Sequence, residues 1–354
     1  MRRVRLGLAG LGRIGQLHAA NLAGRLPTVE LVRVVDAVEE VARYTGERLA
    51  VEWSTSFDDL AGDPEIEGIV IAAPTPQHAP MIERAAAAGK HVFCEKPIAL
   101  DLEASADAVA AAASGGVKLQ TGFHRRFDPD WAAATARITA GELGEVYLFR
   151  TSLRDKSSPS LEYIAGSGGF FVDVTIHDLD TARWMVGEIE EVTAIGAALS
   201  DPAFAELGDI DTAVVALRFA GGALGVIDNS RSAGYGYECS TEVIGSKATV
   251  RIASHRRVDN EWLTPGAATV DWVADFTERF PKAYLLELED FAAAILDDRP
   301  PAVTGEDALA AFVLARACER SFREGRPVRL RHNQTATGAA YSIEEVASAT
   351  AATG

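Results

Sequence analysis

Between Val4 and Gly122, short apolar runs alternate with segments of helical periodicity. The runs Val4 to Ala9, Leu31 to Asp36, Gly68 to Ala72, His91 to Cys94 and Lys118 to Gly122 predict strands. Ile14 to Ala23, Ala79 to Ala88 and Leu102 to Ala113 predict helices, the last two rich in alanine, the strongest helix former. Such alternation belongs to a parallel sheet covered on both faces, a doubly wound α/β unit.

After Gly122 the rhythm changes. A helix is predicted near Pro129 to Ala140, a strand near Val146 to Ser152, and a polar stretch runs from Arg154 to Gly169. Strands then follow one another at Val192 to Ala197, Thr212 to Phe219, Ala223 to Asn229, Ser240 to Ile244 and Thr249 to Ile252. Successive strands without intervening helices predict a mainly antiparallel sheet, and helical patterns return at Tyr284 to Leu296 and Glu306 to Phe322 to cover it. The second unit is therefore α+β. The expected division is 1–122, 123–330 and a poorly ordered Ala-, Thr-, Ser- and Gly-rich tail at 331–354.

Composition agrees with a two-domain enzyme. The chain has 354 residues, more than one core usually organises. A formal charge of −17 argues against a surface that tracks nucleic-acid phosphates. Cys94, Cys239 and Cys318 are too scattered for a disulfide framework or a zinc site, so a reducing cytoplasm is expected and no metal. The basic start and the apolar run behind it resemble a signal peptide, but Arg13 interrupts the run and no cleavage motif follows. No stretch reaches the roughly 20 apolar residues of a membrane helix.

The first strand runs directly into Gly10-Leu11-Gly12-Arg13-Ile14-Gly15, and a helix follows at once. In that context the three glycines serve a tight turn, close approach of a pyrophosphate and helix-to-strand packing, the fingerprint of a Rossmann dinucleotide-binding domain. Asp36 closes the second strand where a carboxylate meets the adenosine ribose and repels a 2′-phosphate. NAD is expected over NADP, although Arg33 and Arg43 lie close enough in sequence to keep NADP in play.

Three further motifs, His18 after the glycines, Thr75-Pro76 with His78, and Glu95-Lys96-Pro97 after the fourth strand, complete a pattern. With it the chain resembles the glucose-fructose oxidoreductase/inositol dehydrogenase/rhizopine catabolism family over nearly its whole length. Gly122-Phe123-His124-Arg125-Arg126-Phe127-Asp128-Pro129, the run from Gly168 to Asp180, Asn229-Ser230-Arg231, Tyr235-Gly236-Tyr237 and Gly245-Ser246-Lys247 are similar to the inositol 2-dehydrogenase branch. Two places depart from it: His124 stands where related sequences often carry another residue, and Lys156-Ser157-Ser158 replaces a more proline-rich stretch.

Alcohol oxidation needs a base for the hydroxyl proton while hydride leaves the same carbon. Asp173 and His177, four apart in a helical pattern, are expected on one face, with Asp173 orienting the imidazole and Asp180 joining them. A surface pair or cap has the same spacing. Lys96, at the carboxyl end of a parallel strand, is suited to hydrogen-bond the reacting oxygen. The resemblance implies that Lys96, Asp173 and His177 form the catalytic set, with Thr75, Pro76, His78, Glu95 and Lys96 adding to the cofactor site. Arg125, Asp155, Asp180, Tyr237 and Tyr284 are candidates to hold a polyol's remaining hydroxyls. Tyr235 competes with Tyr237, and Arg125 serves the cofactor equally well.

These readings converge on NAD-dependent oxidation of a cyclic polyol such as inositol, with a related sugar or another inositol isomer as the alternative substrate. A non-catalytic NAD-binding redox sensor is the competing reading of a different class. An antiparallel sheet with one uncovered face predicts a homodimer or homotetramer.

Overall fold

The computed structural model describes residues 2–334 and 339–344. The first sheet contains β1 (Val4–Ala9), β2 (Val29–Val35), β3 (Glu52–Ser54), β4 (Gly68–Ile71), β5 (His91–Cys94) and β6 (Leu119–Thr121). All neighbours run parallel, in the order β3-β2-β1-β4-β5-β6. Growth of the sheet therefore reverses at β1, and the crevice between the ends of β1 and β4 is the place where such sheets take ligands. Four of the five expected strands are buried nearly throughout, as both-face coverage requires. Strand β3 and the helix Glu39–Leu49 were absent from the expectation: β3 is three partly exposed residues, and the helix is mostly polar and solvated.

The second sheet is built from β7 (Val146–Arg154), β8 (Ile189–Ala197), β9 (Thr212–Phe219), β10 (Leu224–Ser230), β11 (Glu238–Gly245) and β12 (Thr249–Ile252). An exposed ribbon of β13 (Arg256–Thr264) and β14 (Ala267–Trp272) follows, and β15 (Val328–Gln334) and β16 (Ala339–Ile343) complete the sheet in the order β12-β11-β7-β10-β9-β8-β15-β16. Every pair is antiparallel except β7 and β10, which run parallel. In β9, Ala213, Val215, Leu217 and Phe219 point inward while Thr212, Val214, Ala216 and Arg218 point out, the alternation of a sheet with one covered face. Helices Ile176–Val186 and Gly305–Glu324 lie on the inner face.

One expectation is corrected. Residues 331–334 and 339–343, assigned to an unordered tail, extend the second sheet as a hairpin, and Tyr341 donates to Glu188 and accepts from the Ile189 amide at 2.9 Å. Residues 335–338 and 345–354 lie outside the described residues. Helix Pro281–Leu296 returns to the first sheet, where Leu288, Phe291, Ala292 and Ile295 share a core with Leu6, Leu8, Val70 and Phe93. Its Phe291 ring packs edge-on to Phe93 at 6.1 Å.

That returning helix also carries Glu287 into the first domain. Glu287 is fully buried, and neither of its carboxylate oxygens has a partner. It lies beside Glu95, whose carboxylate accepts from His18 Nε2 at 2.8 Å; the ligating atoms of these three side chains all fall within 4.8 Å of one another. Burial first, and the neighbouring Glu95 second, push the Glu287 carboxyl well above its ordinary range. The folded chain consequently binds this proton more tightly than the unfolded chain does. The associated stability is present below about pH 4.5 and is lost as pH rises through the raised value.

Replacing Glu287 with glutamine keeps the shape and removes the titration. Thermal melts from pH 5 to pH 9 should show Glu287→Gln gaining on the wild type as pH rises, by up to about 1.4 kcal/mol per pH unit while the wild-type carboxyl stays protonated. A parallel pair of melting curves would contradict the assignment. Phe291→Ala, which opens a cavity beneath β1 and β5, should cost about 3–5 kcal/mol in denaturant unfolding, against less than 1 kcal/mol expected of a surface change.

Candidate active site

The loop after β1 carries the first half of the site. Gly10 has φ 91°, and a side chain there would press on the backbone of Ala72 and Ala73 at 2.4–2.5 Å. A Cβ on Gly15 would stand 2.0 Å from the Gly10 carbonyl oxygen. Both positions are closed by packing, whereas a Cβ on Gly12 would meet nothing within 4 Å. Gly12 caps the helix Arg13–Gly24, and no side chain satisfies its first amides. A dinucleotide pyrophosphate fits this arrangement: open space above Gly12, free N–H donors at Arg13 to Gly15 and the positive end of a helix dipole.

Asp36 holds the loop from the side. Its Oδ2 accepts from the Leu11 amide at 2.8 Å and its Oδ1 from the Val38 amide at 2.9 Å, while the side chain stays partly exposed next to the expected ribose position. Arg33, a cation considered for a 2′-phosphate, is committed to Glu52 and Asp63. Arg13 projects from the helix start to the second domain, pairing with Asp275 at 2.6 Å and covering the Phe276 ring.

The second half of the site forms where β5 ends. Lys96 Nζ donates to the Asp173 carbonyl oxygen at 2.8 Å and to its Oδ1 at 3.3 Å. Tyr163 donates to the same Oδ1 at 2.9 Å and Arg231 to Oδ2 at 2.9 Å. Burial would raise the Asp173 carboxyl, but Lys96 and Arg231 outweigh it and hold the group below its ordinary range. Asp155, just past β7, interacts with the same charges. Burial pushes it up to about 6, against the pull of Arg231 and with the repulsion of Asp173. Tyr163 and Arg231 were not singled out as site residues. Arg231 lies 58 positions from Asp173, and only the Asn229-Ser230-Arg231 motif hinted at it.

His177 is close to this cluster but is not oriented by Asp173, contrary to the helical-face expectation. Residues Phe171–Thr175 form a π turn ahead of the helix Ile176–Val186, and the wider turn breaks the regular four-residue alignment. Burial, with Lys96, His124 and Arg125 nearby, lowers the His177 imidazole well below its usual value and keeps it neutral. Its Nδ1 is sealed from solvent without a partner, leaving Nε2 as the accessible nitrogen.

Other candidates are placed elsewhere. Asp180 is 1% exposed and receives both Nε and NH2 of Arg126, so it ties helices together and faces no cleft. Arg125 is buried in an ion pair with Asp178, which also accepts from Thr151 at 3.1 Å and Asn229 at 2.8 Å. The ring nitrogens of His78 lie 2.8 and 2.7 Å from the carbonyls of Pro97 and Ala73, so this residue braces the Lys96-Pro97 turn. Glu95 turns its carboxylate inward to His18. Thr75 and Pro76 begin the short turn Thr75–Gln77 and remain at least partly accessible beyond β4. Tyr237 and Tyr284 are buried, Tyr237 edge-on to Phe280 and Tyr284 stacked on His124 at 4.5 Å.

Comparison with known proteins identifies the family. The oxidoreductase-family profile for the NAD-binding Rossmann fold matches residues 4–123, and that for the C-terminal alpha/beta domain matches residues 135–330. The chain is 40% identical to a myo-inositol 2-dehydrogenase of Thermotoga maritima, over 92% of this chain and 98% of that one. It is 38% identical to an NAD(+)-dependent scyllo-inositol 2-dehydrogenase of Bacillus subtilis, over 95% and 99%. The crystal structure of scyllo-inositol dehydrogenase from Lactobacillus casei, with bound NAD(H) and scyllo-inositol, superposes with a TM-score of 0.87 at 31% identity, over 93% of this chain and 99% of that one. A glycine loop that fits a dinucleotide, a lysine–aspartate pair beside a neutral histidine, and family matches over both domains lead to one conclusion: the chain is an NAD-binding member of the glucose-fructose oxidoreductase/inositol dehydrogenase/rhizopine catabolism family of oxidoreductases.

Proposed function

We propose that this enzyme oxidises one secondary hydroxyl of an inositol to the corresponding keto-inositol. The observation that carries this reading is the meeting of Lys96, Asp173 and neutral His177 at the carboxyl end of the parallel sheet. The dehydrogenase relatives named above act on inositols. Bound NAD supplies the hydride acceptor. His177 Nε2 takes the hydroxyl proton, because it is the accessible nitrogen of a ring that burial keeps uncharged. Lys96 donates a hydrogen bond to the reacting oxygen and favours its developing negative charge. Asp173, with Arg231 and Tyr163, fixes the lysine through two acceptor atoms. Asp155 lies near enough to feel Lys96, Arg231 and Asp173 and offers an acceptor for a neighbouring ring hydroxyl.

Assembly follows from the second sheet. Ile195, Val214 and Leu224 are on its outer face and are 67%, 40% and 48% exposed. An apolar sheet face of this kind is covered by a second copy in a homodimer or homotetramer, working in the reducing cytoplasm that suits three buried free thiols. Light scattering should give a mass of two or four chains. A monomer at micromolar concentration would overturn the assembly.

The activity test is NADH formation at 340 nm with NAD and a panel of inositols and sugars. Myo- or scyllo-inositol should be turned over, and Lys96→Ala and His177→Ala should each lower kcat by at least about 100-fold with NAD binding retained. Tight NAD binding with no turnover of any polyol would reject the dehydrogenase reading in favour of a cofactor-sensing protein.

A further inference from the structure

We propose that His124 is the positioning residue of the base, its Nε2 accepting the Nδ1 proton of His177 in the role expected of Asp173. The inference rests on His177 being the base of the reaction. Asp173 makes no hydrogen bond to His177, and its carboxylate is turned to Lys96, Arg231 and Tyr163. His177 Nδ1 and His124 Nε2 are both buried and both without a partner, an uncommon condition for polar atoms. They belong to rings that meet edge to face with centroids 5.3 Å apart, so a rotation of the His177 ring is the movement the proposed hydrogen bond requires.

The surroundings of His124 suit an acceptor. Its ring is stacked on Tyr284 at 4.5 Å and packed against Phe280 at 4.7 Å, which limits its freedom to turn. The charged and titratable groups facing it are Arg125 on its own turn, Lys96 after β5, Arg279 ahead of the returning helix, His18 on the first helix and His177 itself. Burial and these neighbours keep His124 neutral, so one of its nitrogens retains a lone pair. With a proton on Nδ1 shared with His124, the neutral His177 has its own lone pair on Nε2, the tautomer that accepts a proton from substrate. When His177 becomes charged, His124 stabilises the imidazolium.

The test compares wild type, His124→Phe and His124→Gln. Loss of the acceptor should lower kcat about 10- to 100-fold with little change in KM, and should move the acid limb of the kcat profile to lower pH, because the imidazolium has lost its partner. Glutamine, which offers a carbonyl oxygen, should restore part of both effects. An unchanged kcat and acid limb in His124→Phe, or an equal fall in both variants with the limb unmoved, would overturn the proposal. Nitrogen-edited NMR of the cofactor-free protein provides a readout independent of turnover. The wild type should show a protected, downfield Nδ1 proton assigned to His177 by its absence in His177→Asn, and it should vanish in His124→Phe. Its absence from the wild type would refute the role of His124 even if inositol is oxidised, whereas its presence without any turnover would reject only the substrate reading.

Discussion

The site depends on a buried charge that must be neutralised across two domains. Lys96 leaves the end of β5 with its side chain 14% exposed, and an ammonium taken that far from water needs an anion and acceptor oxygens. Asp173 supplies the carbonyl and one carboxylate oxygen, and its other carboxylate oxygen neutralises Arg231, whose side chain is only 1% exposed. Two cations and one firmly ionised carboxylate leave room for a second carboxylate. Asp155 fills that place, yet burial still pushes it up to about 6. The cluster thus fixes the lysine in position while leaving one group whose charge is responsive near neutral pH.

Around this pair, the fold separates groups that hold structure from groups free to react. His78 is braced by two carbonyls, Glu95 turns inward to His18, Asp180 is clamped by Arg126, and Arg125 is paired with Asp178. Each looks functional in isolation because it is polar and close in sequence to a glycine- or histidine-bearing motif. Each is instead engaged by at least one protein partner, although Nε and NH2 of Arg125 remain buried without one. His177 retains an accessible nitrogen, and Lys96 reaches the cleft from a strand end. Both histidines near the cleft are kept neutral chiefly by burial, so their proton-accepting capacity does not depend on a counter-ion.

The returning helix Pro281–Leu296 links the two halves. It begins at the edge of the second domain, places Tyr284 against His124, and ends by sealing the first sheet with Phe291. Glu287 lies between these points, buried beside Glu95, which directly precedes Lys96. A movement of this helix would be felt at both the cofactor side and the base side of the cleft. Arg13 closes a second link through Asp275 and Phe276, so the glycine loop is also tied to the chain that enters this helix.

The sequence alone determined the parallel sheet, the glycine loop and Asp36, because period, turn chemistry and spacing are local properties that no distant residue alters. It also yielded the second sheet from runs of alternating residues such as Thr212–Phe219. It missed the ribbon β13–β14, where nearly every position is exposed and there is no alternation to read, and it lost β16 in a composition that resembles a tail. Only tertiary structure decided which polar residues meet. A π turn moved Asp173 out of register with His177, while Lys96, Tyr163 and Arg231 came to it from segments as far as 77 residues away. Hydrogen bonding is set by distance and direction in space, and spacing along a chain fixes neither once the chain has turned.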